Sequence, residues 1–299
     1  MLSPPEDLSP DSVAVALGVD AAEMIYRPVG FGSHHWSVGT RWFVTVDDLD
    51  AKRRTVGDSR DAAFDRLEQA LGAARDLRAE FVVAPAGPLV RLGRYAAARY
   101  PFVAGESFGF GGYRDDEHRA AVLAMLVEVH AAAGVTAPRE DSAVPHRDVL
   151  EATLGGAVVG SAGPFEQRAA AVVADYAYAI RRLLEKHDTL AAGVDPERAV
   201  LTHGEPHPGN TMRTPDGWRL IDWDTAMLAP PERDLWMLGG DLTAYPGQVL
   251  PELLEMYRLR WDIADLAAGV DRFRRPHTGD ANDEESFEIL RSIAAGLPT

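Results

Sequence analysis

Between Leu201 and Asp224 the chain has few conformations open to it. Pro206 and Pro208 exclude a regular helix from His203–Gly209, because each removes a backbone donor and fixes φ. Thr214-Pro215-Asp216-Gly217 is a strong turn, so the flanking runs Asn210–Arg213 and Trp218–Asp222 are expected to pair as a hairpin. With residue 216 as its mid-point, Asn210 falls opposite Asp222, and opposed residues in such a ladder lie about 5 Å apart. An amide oxygen and a carboxylate so placed can share a hard divalent cation, and Mg²⁺ takes few such oxygens together with phosphates. Glu205, in the irregular loop before Asn210, is a carboxylate able to accept a proton from a hydroxyl. A second metal chemistry is also open. His203, Glu205 and His207 form an H-x-E-x-H cluster, although two histidines four apart bind zinc well on a helix and the prolines oppose one.

Charge and composition narrow the partners. The 299-residue chain has a formal net charge of −16, which argues against nucleic acid, since a phosphate backbone is bound by basic surface. Acidity suits a cationic substrate, and equally it suits solubility alone. The absence of cysteine excludes a disulfide framework and thiolate metal sites. No apolar run approaches the roughly 18–20 residues of a membrane span, and the acidic, Pro-rich N-terminus is unlike a secretory signal. A cytoplasmic protein with no membrane partner is expected; the sequence leaves its oligomeric state open. Of 30 basic residues only Lys52 and Lys186 are lysines.

Residues 8–19 read as a short helix with Ser9 or Asp11 as caps. Ile25–Pro28 and Trp42–Val46 read as strands, with Gly30-Phe31-Gly32-Ser33 a tight turn. Asp58-Ser59 opens a helix with the stripe Phe64, Leu67, Leu71, Ala74 and Leu77. Phe81–Ala84 and Ala96–Val103 are further strand candidates. After a glycine-rich linker or hinge at Gly105–Tyr113, helical spacing marks Asp116–Ala133, Pro164–His187 and Pro246–Leu266. Gly279–Ser286 reads as an acidic loop, and His130 as a structural histidine.

The stretch His203-Gly204-Glu205…Asn210 followed by Ile221-Asp222-Trp223-Asp224 resembles the catalytic loop and metal strand of the aminoglycoside phosphotransferase and choline kinase-like family, relatives of protein kinases. The resemblance implies an α+β, bilobal fold: a nucleotide-binding lobe over residues 1–104 with a five-stranded antiparallel sheet and one major helix, and a mainly helical lobe over 105–299. It implies ATP (or GTP) and Mg²⁺, with Asn210 and Asp222 as metal ligands and Glu205 as catalytic base. His207 falls where protein kinases place a phosphate-contacting lysine. Gly30, Gly32 and Ser33 match the phosphate-covering turn, Glu68 the ion-pairing helix glutamate, and Phe102 and Val103 the adenine hinge. Asp234 of Arg233-Asp234-Leu235 matches a residue that buttresses the loop.

Two positions depart from the family pattern. Glu205 stands where aspartate is usual, and Thr45 stands where the ATP-binding lysine aligns. Lys52, with Arg41, Arg53 and Arg54 nearby, is the candidate replacement. A kinase for the hydroxyl of a small, cationic, antibiotic-type acceptor is the leading expectation. A nucleotide-binding pseudokinase and a kinase of a choline-like metabolite are the alternatives. Asp224, Glu232 and the Asp280–Glu285 group are candidate amine partners.

Overall fold

The computed structural model describes residues 1–30 and 32–297, so Phe31 of the expected glycine turn lies outside the described residues. Ser9 accepts from the Asp11 N–H and caps α1 (Pro10–Leu17), which ends where Gly18 turns left-handed at φ 63°. Strands β1 (Met24–Arg27), β2 (Ser33–Val38) and β3 (Trp42–Asp48) form an antiparallel meander. With β4 (Val90–Leu92) and β5 (Tyr95–Pro101) they make a five-stranded antiparallel sheet in the order β1-β2-β3-β5-β4. The expected strand at 81–84 is absent from this sheet; Val82 only bridges Leu220, in parallel. The histidine pair His34-His35 interrupts the apolar pattern of β2 and hides it from a periodicity reading.

The sheet has two faces because successive side chains alternate. Val44 and Val46 of β3, Trp36 of β2 and Tyr95 of β5 pack against Val13 and Leu17 of α1. The other face carries Phe43, Thr45 and Asp47, and beside them Ala96 and Ala98 of β5. Against Ala96 and Ala98 lies α2 (Arg60–Leu77), N-capped by Ser59 and burying Leu67, Ala70, Leu71 and Ala74. The same core continues without a break into Val122 and Leu126 of α3 (Asp116–His130) and on to Leu201, Leu220 and Trp223. Helix α2 and the segment 201–223 therefore share one apolar foundation.

Strand β6 (Glu106–Ser107) pairs with β8 (Thr211–Thr214), which pairs with β9 (Gly217–Leu220); β7 (Val200–Thr202) pairs with β10 (Met227–Ala229). A Cβ on Gly105 would lie 2.7 Å from the Arg213 carbonyl oxygen, so the start of the glycine-rich segment docks against the hairpin. The remaining helices are α4 (Arg147–Leu154), α5 (Glu166–Asp175), α6 (Ala177–Ala191), α7 (Glu232–Leu238), α8 (Pro251–Arg274) and α9 (Ala281–Ala295). Residues 164–187, continuous in periodicity, divide at Tyr176 between α5 and α6. Leu150, Val173, Ile180, Ile263, Leu266, Phe273 and Phe287 form a second core around α8. Among the described residues no helix is long and apolar enough to cross a membrane.

The acidic stretch 279–286 is a helix start rather than a loop. Asp280 accepts from the Asp283 N–H at 2.9 Å, Asp283 accepts from the Asp280 N–H at 3.2 Å, and Arg272 pairs with Asp283 at 2.9 Å. Carboxylates that look surplus in sequence satisfy orphan donors at the end of α9. Asp280→Ala is expected to cost about 1 kcal/mol, read as a lower urea midpoint with an unchanged slope.

Candidate active site

The loop from His203 to Asn210 is irregular, and each of its backbone groups needs a partner. Asp234, fully buried at the start of α7, accepts from the N–H of His203 at 2.9 Å and of Gly204 at 2.6 Å. His130 lies 3.0 Å from the same carboxylate and 3.0 Å from the Tyr245 hydroxyl, a structural role as its sequence position suggests. Burial alone would raise the Asp234 pKa, but the bond to His130 and nearby cations carry it below the usual value. Gly204 has φ 101°, and a Cβ there would fall 2.3 Å from the Arg233 guanidinium, which donates to Thr202 Oγ1 and the Thr225 carbonyl. Only glycine fits over that buried cation.

His203 is spent on the loop itself. Its Nδ1 accepts from the Glu205 N–H at 3.2 Å, which leaves the proton on Nε2 to donate to the Ile221 carbonyl at 2.9 Å. That removes it as a zinc ligand and overturns the H-x-E-x-H reading. Tyr113 donates to the Pro206 carbonyl at 2.6 Å, and Asn210 Nδ2 to the Glu205 carbonyl at 2.9 Å.

The hairpin forms, one residue out of the expected register. Thr214 pairs with Gly217 across a two-residue turn, so Asn210 faces Ile221, whose N–H donates to the Asn210 carbonyl at 2.9 Å. A one-residue shift exchanges the faces of a strand. The ladder has ended by Asp222, which sits left-handed at φ 66°, a conformation that Asp tolerates better than most residues. Asp222, Asp224 and Glu205 are mutually destabilising carboxylates. Burial and then Asp224 raise the Asp222 pKa far above normal, and burial, then Asp224, push Glu205 up to about 7. Among the described residues no hydrogen bond engages the carboxylate of Glu205 or of Asp222.

Lys52 is the cation that answers this charge. Its ammonium bonds Asp224 and lies 3.2 Å from Asp47 Oδ1; burial opposes its charge, yet the two carboxylates hold it protonated, well above the ordinary pKa. Arg41 lies over the Trp42 ring, Arg53 pairs with Asp50 and Arg54 with Asp141, so none of these three turns to the site. Thr45, on the same face of β3 as Asp47, pairs across the sheet with His35 and Ala98. Glu68 does not meet a lysine. It binds Arg75 and the Leu89 N–H at 2.7 Å, which corrects its expected pairing.

The glycine turn holds Gly30 at φ 69° and Gly32 at φ 86°. Ser33 donates to Asp47 at 2.6 Å, and the His35 ring fixes the turn through the Val29 carbonyl at 2.9 Å. Phe102 donates its N–H to the Arg41 carbonyl at 2.9 Å, which leaves only its carbonyl for a ligand; Val103 makes no backbone hydrogen bond among the described residues. The His207 pKa falls to about 4, first through burial and then through His203, so the ring is neutral near pH 7 and lies edge-on to Phe110. It cannot supply the fixed charge of a lysine.

Glu232 is no amine partner, being fully buried with Arg198 at 2.7 Å and the Leu250 N–H at 2.8 Å. One acid that acts on Glu205 lies on α8, while its neighbour Asp262 pairs with Arg258 at 3.0 Å. Asp265, near enough to raise Glu205, is itself pushed up to about 7 by burial and then Asp262. Trp261 stacks with Phe110 at 6.3 Å, and Phe110 reaches His207. The sequence signal for this group is the Trp261-Asp262-x-x-Asp265 run on the amphipathic helix α8.

Known proteins place this arrangement. The family model described as "Phosphotransferase enzyme family" matches residues 30–273. "Protein StrN" of Streptomyces griseus is 36% identical over 182 residues, 56% of each chain, so the match spans little more than half of that relative. A solved spectinomycin phosphotransferase, APH(9)-Ia, in complex with ADP and spectinomycin, superposes with TM-score 0.67 at 17% identity over 96% of both chains. The GDP complex of aminoglycoside 2'-phosphotransferase-IIIa gives 0.55 at 15% identity, over 91% of this chain and 92% of that one. Likeness at such identity is likeness of fold, an α+β, protein-kinase-like one. The chain belongs to the phosphotransferase enzyme family.

The depressed Asp234 pKa contributes stability that is present above about pH 4, the unfolded value, and is lost as pH falls through the folded value. Asp234→Asn is therefore expected to flatten the acid limb of a stability-against-pH curve and to lower neutral-pH stability by about 1–3 kcal/mol. Urea unfolding at several pH values measures both.

Proposed function

We propose that the protein transfers the γ-phosphoryl group of ATP, or of GTP, to a hydroxyl of a small cationic acceptor, with Mg²⁺ held by Asn210 and Asp222. The observation that carries the reading is the Glu205 carboxylate, half-buried, without a hydrogen-bond partner among the described residues and poised near neutrality, beside surplus negative charge. The residues suit the metal. Asn210 commits its Nδ2 to the loop, so its Oδ1 is free to ligate, and the crowding of Asp222 with Asp224 is what a divalent cation relieves. Among the described residues no three His, Asp or Glu side chains converge as a metal cage, as befits an ion that relies on few protein ligands and on phosphates. When bound, Mg²⁺ neutralises phosphate charge.

In this reading Glu205 orients the acceptor hydroxyl and takes its proton as the new O–P bond forms, while the bond from the γ-phosphorus to the bridging oxygen breaks and the nucleoside diphosphate leaves. Gly30, Gly32 and Ser33 cover the phosphates, and Lys52 grips them in place of the missing strand lysine. The Phe102 carbonyl and the Val103 N–H receive the base. The division between lobes falls at residues 104 and 105, and the site works in the cytoplasm, where nucleotide is abundant. Asp262 and Asp265, with the Trp261 and Phe110 rings, receive the acceptor's cation; two acids whose pKa burial raises are stabilised by an ammonium group. The solved neighbours' spectinomycin and aminoglycoside acceptors agree with that chemistry.

The test is nucleotide consumption with Mg²⁺ against aminoglycosides, spectinomycin-like aminocyclitols, cationic peptides, macrolides and choline-like amines. Phosphorylation of an amine-bearing acceptor is expected; nucleotide binding without transfer to any of them would favour a regulatory pseudokinase. With the acceptor in hand, Glu205→Gln should lower kcat about a hundredfold or more and leave nucleotide affinity nearly unchanged, whereas Asp222→Ala should abolish transfer. Asp265→Asn should raise the acceptor KM well above its effect on kcat.

A further inference from the structure

Lys52 does not sit on a strand, and it has no glutamate from the neighbouring helix to hold it. Helix α2 offers Glu68, but that carboxylate is committed to Arg75 and the Leu89 N–H. Another carboxylate stands in the gap. Asp47, the sixth residue of β3, has its side chain on the cleft face with Thr45 and only 5% exposed. Its Oδ1 accepts from Ser33 Oγ at 2.6 Å and lies 3.2 Å from the Lys52 Nζ. The lysine is presented by a tight turn in which the Ala51 and Lys52 N–H groups both donate to the Asp48 carbonyl, at 3.0 and 3.1 Å. Arg66 of α2 reaches the Lys52 carbonyl at 3.4 Å and locks onto Asp58, so the turn is tied to the helix. A continuous chain of contacts thus runs from Ser33 in the glycine turn through Asp47 and Lys52 to Asp224 beside the metal strand.

We infer that Asp47 is the positioning residue of the phosphate grip: it holds the Lys52 ammonium at the nucleotide phosphates, while Ser33 fixes the orientation of Asp47. The ion pair that a helix glutamate would make is rebuilt within one strand and the turn that follows it. The physical logic is that of a movable cation with one fixed partner. An ammonium has three donors; the structure gives one of them to Asp224, while Asp47 holds the cation as an ion pair at 3.2 Å. The Asp224 contact spans from the sheet to the catalytic segment, whereas Asp47 and Lys52 belong to the same local framework. When phosphates arrive, Lys52 can give its Asp224 donor to a phosphate oxygen and keep its ion pair with Asp47, so the cation stays oriented while its other partner changes. The coupling also explains how the glycine turn and the lysine stay in register: Ser33 and Lys52 share one oxygen atom of Asp47.

This inference rests on Lys52 gripping phosphate, and the experiment separates the two claims. Binding of Mg–ATP and of adenosine would be measured by calorimetry for the wild type, Asp47→Asn, Lys52→Met and the double variant, with melting temperatures alongside. Asparagine keeps an acceptor for Ser33 and removes only the charge. Asp47→Asn and Lys52→Met are each expected to weaken Mg–ATP about tenfold and leave adenosine unchanged. The double variant is expected to be no weaker than Lys52→Met, because Asp47 acts only through the lysine. Asp47→Glu should recover part of the loss, and Thr45→Lys in the Lys52→Met background should too, since residue 45 shares the face of Asp47. Wild-type Mg–ATP affinity in Lys52→Met would overturn the lysine's role and this inference with it. A normal Asp47→Asn beside a weakened Lys52→Met, equal losses for ATP and adenosine, or additive losses in the double variant would overturn the inference alone.

Discussion

The Asp234 carboxylate accepts two consecutive backbone N–H groups, those of His203 and Gly204, while shut away from water. Everything in the catalytic segment is referred to that contact. A loop broken by two prolines cannot satisfy its own amides, and buried amides without partners are costly. Asp234 satisfies them, His130 holds Asp234, and Tyr245 holds His130. Beneath Gly204 the Arg233 guanidinium fills the space a side chain would need. Glu205 is thereby presented by a rigid backbone while its own carboxylate stays unbound, the condition in which a general base is of use.

Electrostatics supplies the second constraint. Glu205, Asp222 and Asp224 crowd one partly exposed cleft in which Lys52 bonds Asp224, and desolvation followed by repulsion from Asp224 raises the pKa values of Glu205 and Asp222. Such a cluster is tolerable in a protein that spends part of its cycle with cations bound there. The strain is local: apolar packing of α2, α3 and Trp223 beneath the cluster supports it. The Trp223 indole donates to the Leu220 carbonyl at 3.0 Å and packs on His203, joining the end of the hairpin to the loop.

Much of the catalytic segment was legible because its constraints are local. Prolines, a strong turn and a glycine act over a few residues, and His203–Asn210 and Ile221–Asp224 could be recognised as one motif. The helix stripe of α2 and the cap at Ser9 were equally readable, since period and capping are properties of short windows. The hairpin register was missed by one residue. The turn closes on Thr214 and Gly217 through the Thr214 hydroxyl, which accepts from the Asp216 N–H and donates to the Gly217 carbonyl. Counting from the middle of the turn could not foresee that. The acidic run at 279–286 was misread because Asp280 and Asp283 form a local capping box that went unrecognised, and only the Arg272 contact with Asp283 waits for α9 to pack on α8.

By itself the sequence determined the chemistry class: a carboxylate, an amide and a second carboxylate at fixed spacing, on a loop and hairpin that local sterics leave little freedom. It could not determine which charges pair. Glu68 has the right helix position for the lysine's partner, yet it turns to Arg75, while Asp47 and Asp224, separated by most of the chain, meet on Lys52. Nor could it show that Glu232 is buried with Arg198 whereas Asp265 comes near enough to raise the pKa of Glu205. Ion pairs depend on distances of a few ångströms between segments far apart in sequence, and those distances exist only once the sheet, the hairpin and α8 have packed together.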